Sequence, residues 1–116
     1  MIALPPDYKL YFESPGPREG LLKTGPGWFR LWAPQDVERQ NRNYGVQERA
    51  PGLVAFGSSG GCELFAFDQL DRIMILPMVD MTTQSATLLC ERWADFVRAI
   101  KRSNPPPTQP TRRSCP

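Results

Sequence analysis

Apolar side chains recur at helical intervals near the C-terminal end of the chain, with charged residues between them. The repeating positions are Ala86, Leu89, Cys90, Trp93, Phe96, Val97 and Ile100. This spacing is typical of an amphipathic helix with one buried stripe, and the Asn104-Pro105 step would end it. The pattern therefore predicts a long C-terminal helix that covers a sheet and places Trp93 in the core.

Shorter apolar runs, separated by turn residues, precede this helix. The runs at 53–57, 62–67 and 72–76 are joined by turns rich in Gly, Ser and Asp, which is typical of three antiparallel strands in a meander. Farther upstream, 20–23 and 28–32 flank a Thr-Gly-Pro-Gly turn, which indicates a second hairpin. The sequence thus predicts about five strands.

Two segments that follow prolines predict short helices. Prolines stand directly before 7–13 and 35–44 and suit the first helical position, and Gly45 can end the second helix. The order of elements lacks the strand–helix alternation of a parallel fold. The predicted fold class is α+β: a mostly antiparallel sheet of about five strands packed against a long C-terminal helix, with two short helices.

The composition of residues 104–116 differs from that of the rest of the chain. This segment holds 5 of the 13 prolines and no aliphatic side chain, so it has nothing with which to build a core. A chain of 116 residues with 41% hydrophobic residues suits one small domain. We therefore expect a single domain at 1–103 and a disordered Pro-rich tail at 104–116.

Charge and apolar run length narrow the possible partners and location. Arg112 and Arg113 supply the net charge of +2, and the rest of the chain is neutral. A neutral domain is not typical of nucleic-acid-binding proteins. The longest apolar run, Ile73–Val79, is far shorter than the roughly 20 residues of a membrane span. The first residues lack the pattern of a secretory signal. We expect a cytoplasmic protein without a nucleic-acid or membrane partner.

Residue content also limits the possible chemistry. The chain has no histidine, which excludes Ser-His-Asp and Cys-His nucleophile systems and His-ligated zinc. Glu63, Asp68 and Asp71 could form a carboxylate pair or a metal site, but the two aspartates suit turn positions and match no metal-loop signature. We expect no catalytic, metal or cofactor site, and a small carboxylate-dependent hydrolase remains an alternative.

Two surfaces are candidates for binding a partner. On the strand at 28–32, Trp28, Arg30 and Trp32 share one face, opposite Phe29 and Leu31. If Phe29 and Leu31 face the core, the two tryptophans and Arg30 form an exposed set of the kind typical of binding hot spots. The reverse arrangement buries the tryptophans.

The second candidate is the helix predicted at 35–44, which is mostly polar. Asp36, Glu38, Arg39 and Arg42 offer charged groups beside Tyr44. A solvated face explains these residues as well as an interface does. The predicted partner-binding residues are Trp28, Arg30, Trp32, Asp36, Glu38 and Tyr44.

The order of the elements and three local patterns resemble the SUKH superfamily, which has the Smi/Knr-type fold of immunity proteins and cell-wall regulators. The patterns are Leu4-Pro5-Pro6-Asp7-Tyr8, then Leu31-Trp32-Ala33-Pro34-Gln35-Asp36-Val37 with Asn41 and Tyr44 after it, and Pro51-Gly52-Leu53-Val54-Ala55-Phe56-Gly57 followed by Gly60-Gly61 and Phe65-Ala66-Phe67-Asp68. The resemblance covers roughly residues 4 to 101.

The resemblance implies a binding protein without catalysis. Many SUKH members are encoded beside polymorphic toxins and are thought to neutralise them by direct binding, while others are regulatory modules. We therefore expect an immunity protein whose partner is a toxin domain. A regulatory or scaffold module that binds a host protein remains an alternative, and the sequence leaves the oligomeric state open.

Overall fold

A six-stranded antiparallel sheet forms the centre of the fold in the computed structural model, which describes residues 4–101. The strands lie side by side in chain order, and each pairs with the next in antiparallel fashion. They are β1 (Glu19–Leu21), β2 (Trp28–Leu31), β3 (Val54–Ser58), β4 (Glu63–Phe67), β5 (Ile73–Pro77) and β6 (Thr87–Cys90). The predicted hairpin of β1 and β2 and the meander of β3 to β5 are confirmed.

Short helices connect and cover the strands. They are α1 (Pro6–Tyr11), α2 (Pro34–Tyr44), α3 (Val46–Arg49) and α4 (Trp93–Arg98), with a 3₁₀ turn at Thr83–Ser85. The first two begin at the prolines that predicted them, whereas α3 was not predicted. The longest helix of the described residues, α2, has 11 residues, so none of the helices in this part of the chain could cross a bilayer.

The predicted long C-terminal helix is wrong, and so is the count of about five strands. Residues Thr87–Cys90 form the sixth strand, and only Trp93–Arg98 are helical. In the strand, Leu89 is partly buried and packs against the core, with its side chain next to the turn at Gly25. Pairing with β5 satisfies backbone groups along that strand, and this tertiary pairing outweighs the weak local preference for helix.

Aromatic side chains fill the space between one face of the sheet and the helices α1 and α4. The main contributors are Tyr8, Phe29, Phe56, Phe65, Phe67, Trp93 and Phe96. Trp93 is 6% exposed, stacks on Phe96 with ring centroids 5.1 Å apart, and meets the edge of Tyr8 at 5.0 Å. The prediction that Trp93 is a core residue is confirmed.

The chain after α4 returns to the sheet and lies along the outer edge of β1. Lys101 donates its amide to the carbonyl of Leu21 at 2.9 Å, and the Lys23 amide donates to the Ala99 carbonyl at 2.7 Å. Leu22 and Ile100 form an antiparallel bridge between these bonds. The predicted domain boundary near residue 103 and the tail at 104–116 lie outside the described residues.

The position of Trp93 yields a stability prediction. Trp93→Ala should lower the free energy of unfolding by about 3–5 kcal/mol, because it removes a buried ring and leaves a cavity among its neighbours. Chemical denaturation measures the change. Leu70→Ala is the control, since Leu70 is 73% exposed and its loss should cost little. A loss below about 1 kcal/mol for Trp93→Ala would contradict the packing described for it.

Candidate functional site

Asn41 joins α2 to the sheet through every hydrogen-bonding position of its amide. Its Oδ1 accepts from the Ala55 amide at 2.9 Å and from Gln47 Nε2 at 3.0 Å. Its Nδ2 donates to the Ala55 carbonyl at 2.8 Å and to the Val37 carbonyl at 2.7 Å. Asn41 is fully buried. The side chain therefore pairs with the backbone of β3 as a neighbouring strand would.

Tyr8 ties α1 to the same region. Its hydroxyl donates to the Trp32 carbonyl at 2.5 Å and lies 3.0 Å from the Phe56 carbonyl. Burial raises the pKa of Tyr8, since the ionised form would lose its contact with water. The hydroxyl therefore stays protonated and holds together α1, β3 and the connection that leads into α2.

Two glycines allow the chain to close around the β2 strand. A Cβ at Gly57 would lie 2.4 Å from the Arg30 carbonyl oxygen, so only glycine permits this approach of β3 to β2. Gly60 has φ +81°, and a Cβ there would lie 2.7 Å from Trp28 Cδ1. The turn between β3 and β4 consequently covers the Trp28 ring.

The structure buries both tryptophans of the first candidate surface. Phe29 and Leu31 do face inward, and Phe29 packs on the α4 side of the sheet. On the opposite face, Trp28 is 3% exposed and Trp32 is 9% exposed. The expected exposed set is therefore reduced to Arg30, because the β3–β4 turn covers one tryptophan and α2 covers the other.

Arg30 presents its guanidinium to solvent from β2. Its Nε donates to Glu19 Oε1 on the neighbouring strand at 2.9 Å. About half of each of these two side chains is exposed. Among residues 4–101, the two terminal nitrogens of Arg30 have no hydrogen-bond partner. The Glu19 contact therefore orients the guanidinium and leaves its terminal nitrogens available to an acceptor from outside.

The outward side chains of α2 form two ion pairs along the helix. Asp36 lies 3.3 Å from Arg39, and Glu38 lies 3.3 Å from Arg42. All four side chains are largely exposed. We call the set of Asp36, Glu38, Arg39 and Arg42 the α2 surface.

Of the predicted binding residues, the structure brings Trp32 and Tyr44 into direct contact. Their rings stack with centroids 5.9 Å apart and an interplanar angle of 6°. Tyr44 is half-buried at the last turn of α2. This stack and the Asn41 pairing hold α2 at two points, so the α2 surface is fixed relative to the sheet. The Arg30–Glu19 pair shares no residue with the two ion pairs of α2.

Asp68, a carboxylate of the hydrolase alternative, binds its own turn. Its Oδ1 accepts from the amides of Leu70 and Arg72 at 2.9 Å each, and its Oδ2 accepts from Arg72 Nε at 2.7 Å. Partial burial alone would raise the pKa of Asp68, but the hydrogen bonds from Arg72 and Leu70 outweigh it and lower that pKa. Within the described residues, no group of three His, Cys, Asp or Glu side chains is placed to hold a metal.

Comparison with protein-family models and with curated proteins gives no match for this chain. No family match assigns functional residues, so the candidate site rests on the contacts and exposure of the described residues. Sequence reasoning named Arg30 and the α2 charges but missed the role of Asn41. One signal was available, because Asn41 stands four residues after the buried Val37 on the apolar side of a polar helix.

The turn anchored by Asp68 yields a pH prediction. Because its folded pKa lies below the ordinary value of 3.8, Asp68 contributes stability that is present above about pH 4 and is lost as the pH falls below it. Asp68→Asn should lower the free energy of unfolding by about 1–2 kcal/mol at neutral pH. The difference from wild type should shrink as the pH falls below the ordinary value and through the lowered folded pKa of Asp68.

Denaturation measured across this pH range tests the prediction. Glu48→Gln is the control, because Glu48 is exposed and forms no ion pair with any other residue of 4–101. A wild-type to Asp68→Asn difference that stays constant into strong acid would show that the ionised carboxylate does not hold the turn.

Proposed function

We propose that this chain is a non-catalytic binding protein of the immunity type, which neutralises a toxin domain in the cytoplasm by covering part of its surface. The resemblance to the SUKH superfamily supports this proposal. Inhibition by covering a partner requires no chemistry from the chain itself. It requires an exposed set of groups that the fold holds in a defined geometry.

The observation that carries the proposal is the oriented guanidinium of Arg30. Glu19 accepts a hydrogen bond from its Nε, while the terminal nitrogens have no partner among residues 4–101 and the side chain is about half exposed. An arginine fixed before binding loses less conformational entropy in a complex than a free one. Arginine is also enriched among the residues that dominate binding energy. A carboxylate of the toxin domain is the acceptor that this geometry favours.

The α2 surface supplies the second part of the proposed interface. Its two exposed ion pairs contribute only about 0–1 kcal/mol each to stability, as surface pairs generally do. Folding therefore depends little on them, and they can exchange partners with charges on a toxin domain. The two acidic groups stand toward the start of α2 and the two basic groups toward its end, and this order would select a partner with the complementary pattern.

A charge reversal at Arg30 tests the proposed function. Arg30→Glu should weaken the complex by more than about 1 kcal/mol, since the arginine loses its contacts and the toxin meets the wrong charge. The fold should be retained, because the side chain is about half exposed. The proposal requires a toxin domain encoded in a neighbouring gene, and that domain is the partner to titrate. Titration calorimetry measures the affinity, and circular dichroism checks the fold.

Arg98→Glu is the matched control for this experiment. Arg98 also pairs with a carboxylate, that of Asp95, and its side chain is likewise exposed. It lies on α4, which packs against the opposite face of the sheet. The control should bind as wild type does. Equal affinity for Arg30→Glu and wild type would remove Arg30 from the interface.

A further inference from the structure

β6 is an edge strand with an open side. It pairs with β5 through Ile73 opposite Cys90, Met74 opposite Leu88, and Ile75 opposite Thr87. Elsewhere among residues 4–101, no strand or loop forms a backbone hydrogen bond with β6. The backbone groups that point away from β5 therefore face outward, as they do along any edge strand.

The opposite edge of the sheet is covered at its end, over residues 21–23. The segment after α4 bonds to the outer side of the β1 hairpin on both sides of the bridge between Leu22 and Ile100. An added strand would have to displace this segment before it could pair there. Within the described sheet, β6 is consequently the edge that no backbone segment covers.

The side chains of β6 do nothing to prevent pairing. Edge strands avoid association by being short or bulged or by carrying a charge or a proline. β6 has only 4 residues and pairs with β5 across a register shift, but Thr87, Leu88, Leu89 and Cys90 include neither a charge nor a proline. Leu88 is 49% exposed, and a strand laid beside it would cover part of this apolar surface.

We propose that β6 pairs with β6 of a second copy of this chain, in antiparallel fashion about a two-fold axis. Two identical strands related by such an axis are antiparallel. The outward amides of each strand therefore meet the outward carbonyls of the other, and no second kind of strand is needed. Glu91 lies just beyond the end of β6. The axis therefore places the two Glu91 side chains at opposite ends of the paired strands, where they do not repel each other.

The segment beside β1 limits the size of the assembly. Pairing of β6 with β1 of another copy would leave further edges open and would extend into a fibre. The segment after α4 occupies residues 21–23 and leaves too little of β1 to pair with a whole strand, so β6 is the preferred site for strand addition. Association therefore stops at a dimer with one continuous sheet. This inference is independent of the proposed toxin binding.

Sedimentation velocity of the full chain over a range of concentrations tests the proposal. Wild type should show a monomer–dimer equilibrium, and Leu88→Lys should weaken the dimer by roughly tenfold or more, because it places two like charges near the axis. Leu10→Lys is the matched control, since Leu10 is 60% exposed on α1. It should dimerise as wild type does.

A second variant and a second readout guard against a folding defect. Thr87→Lys places the same charge at another exposed position of β6 and should also weaken the dimer. In wild type, hydrogen exchange of the β6 amides should slow as the concentration rises. A monomer at every concentration, an open-ended assembly, or a dimer unaffected by both β6 variants would overturn the proposal.

Discussion

The backbone of β3 needs hydrogen-bond partners beyond the point where β2 ends. The two strands pair only at Arg30 opposite Ser58 and Leu31 opposite Gly57. β3 nevertheless continues through Ala55, in the interior of the fold, where an unpaired backbone group costs about 1–3 kcal/mol. The bulge between Ala55 and Gly57 adds a further irregularity at this place. The arrangement of the helices around β3 follows from how these groups are satisfied.

A side chain of α2 supplies the missing partners, because Asn41 pairs with both backbone groups of Ala55. The Tyr8 hydroxyl of α1 donates to the Trp32 carbonyl and lies 3.0 Å from the Phe56 carbonyl. The Trp32 amide also donates to that carbonyl, at 2.9 Å. These bonds fix where α1 and α2 lie. The charged side of α2 must then face solvent, because the side that carries Asn41 packs against the sheet.

Local patterns in the sequence predicted those parts of the fold that depend on nearby residues. The hairpins follow from turns rich in Gly, Ser and Asp, and α1 and α2 follow from their prolines. β6 was missed because Leu89, Trp93 and Phe96 fit a helical period, although one of them packs inward from a strand. The pairing with β5 that decides between strand and helix is a contact between distant segments, which periodicity does not report.

The candidate site shows the same division between local and distant information. Alternation along β2 separated Arg30 from Phe29, as the structure has it. The burial of Trp28 and Trp32 on the other face was not predictable from alternation, because it depends on the turn at Gly60 and on the ring of Tyr44. Sequence alone thus located the charged groups but did not show which aromatic rings remain accessible beside them.

The pairing of Asn41 with Ala55 is the central claim, and amide hydrogen exchange at Ala55 tests it most directly. In wild type, the Ala55 amide should exchange as slowly as the amides of β4, which lie between two strands. In Asn41→Ala, exchange at Ala55 should accelerate beyond any change in β4, because the amide loses its acceptor. Rapid exchange at Ala55 in wild type, or equal protection in the variant, would contradict the claim that Asn41 completes the edge of β3.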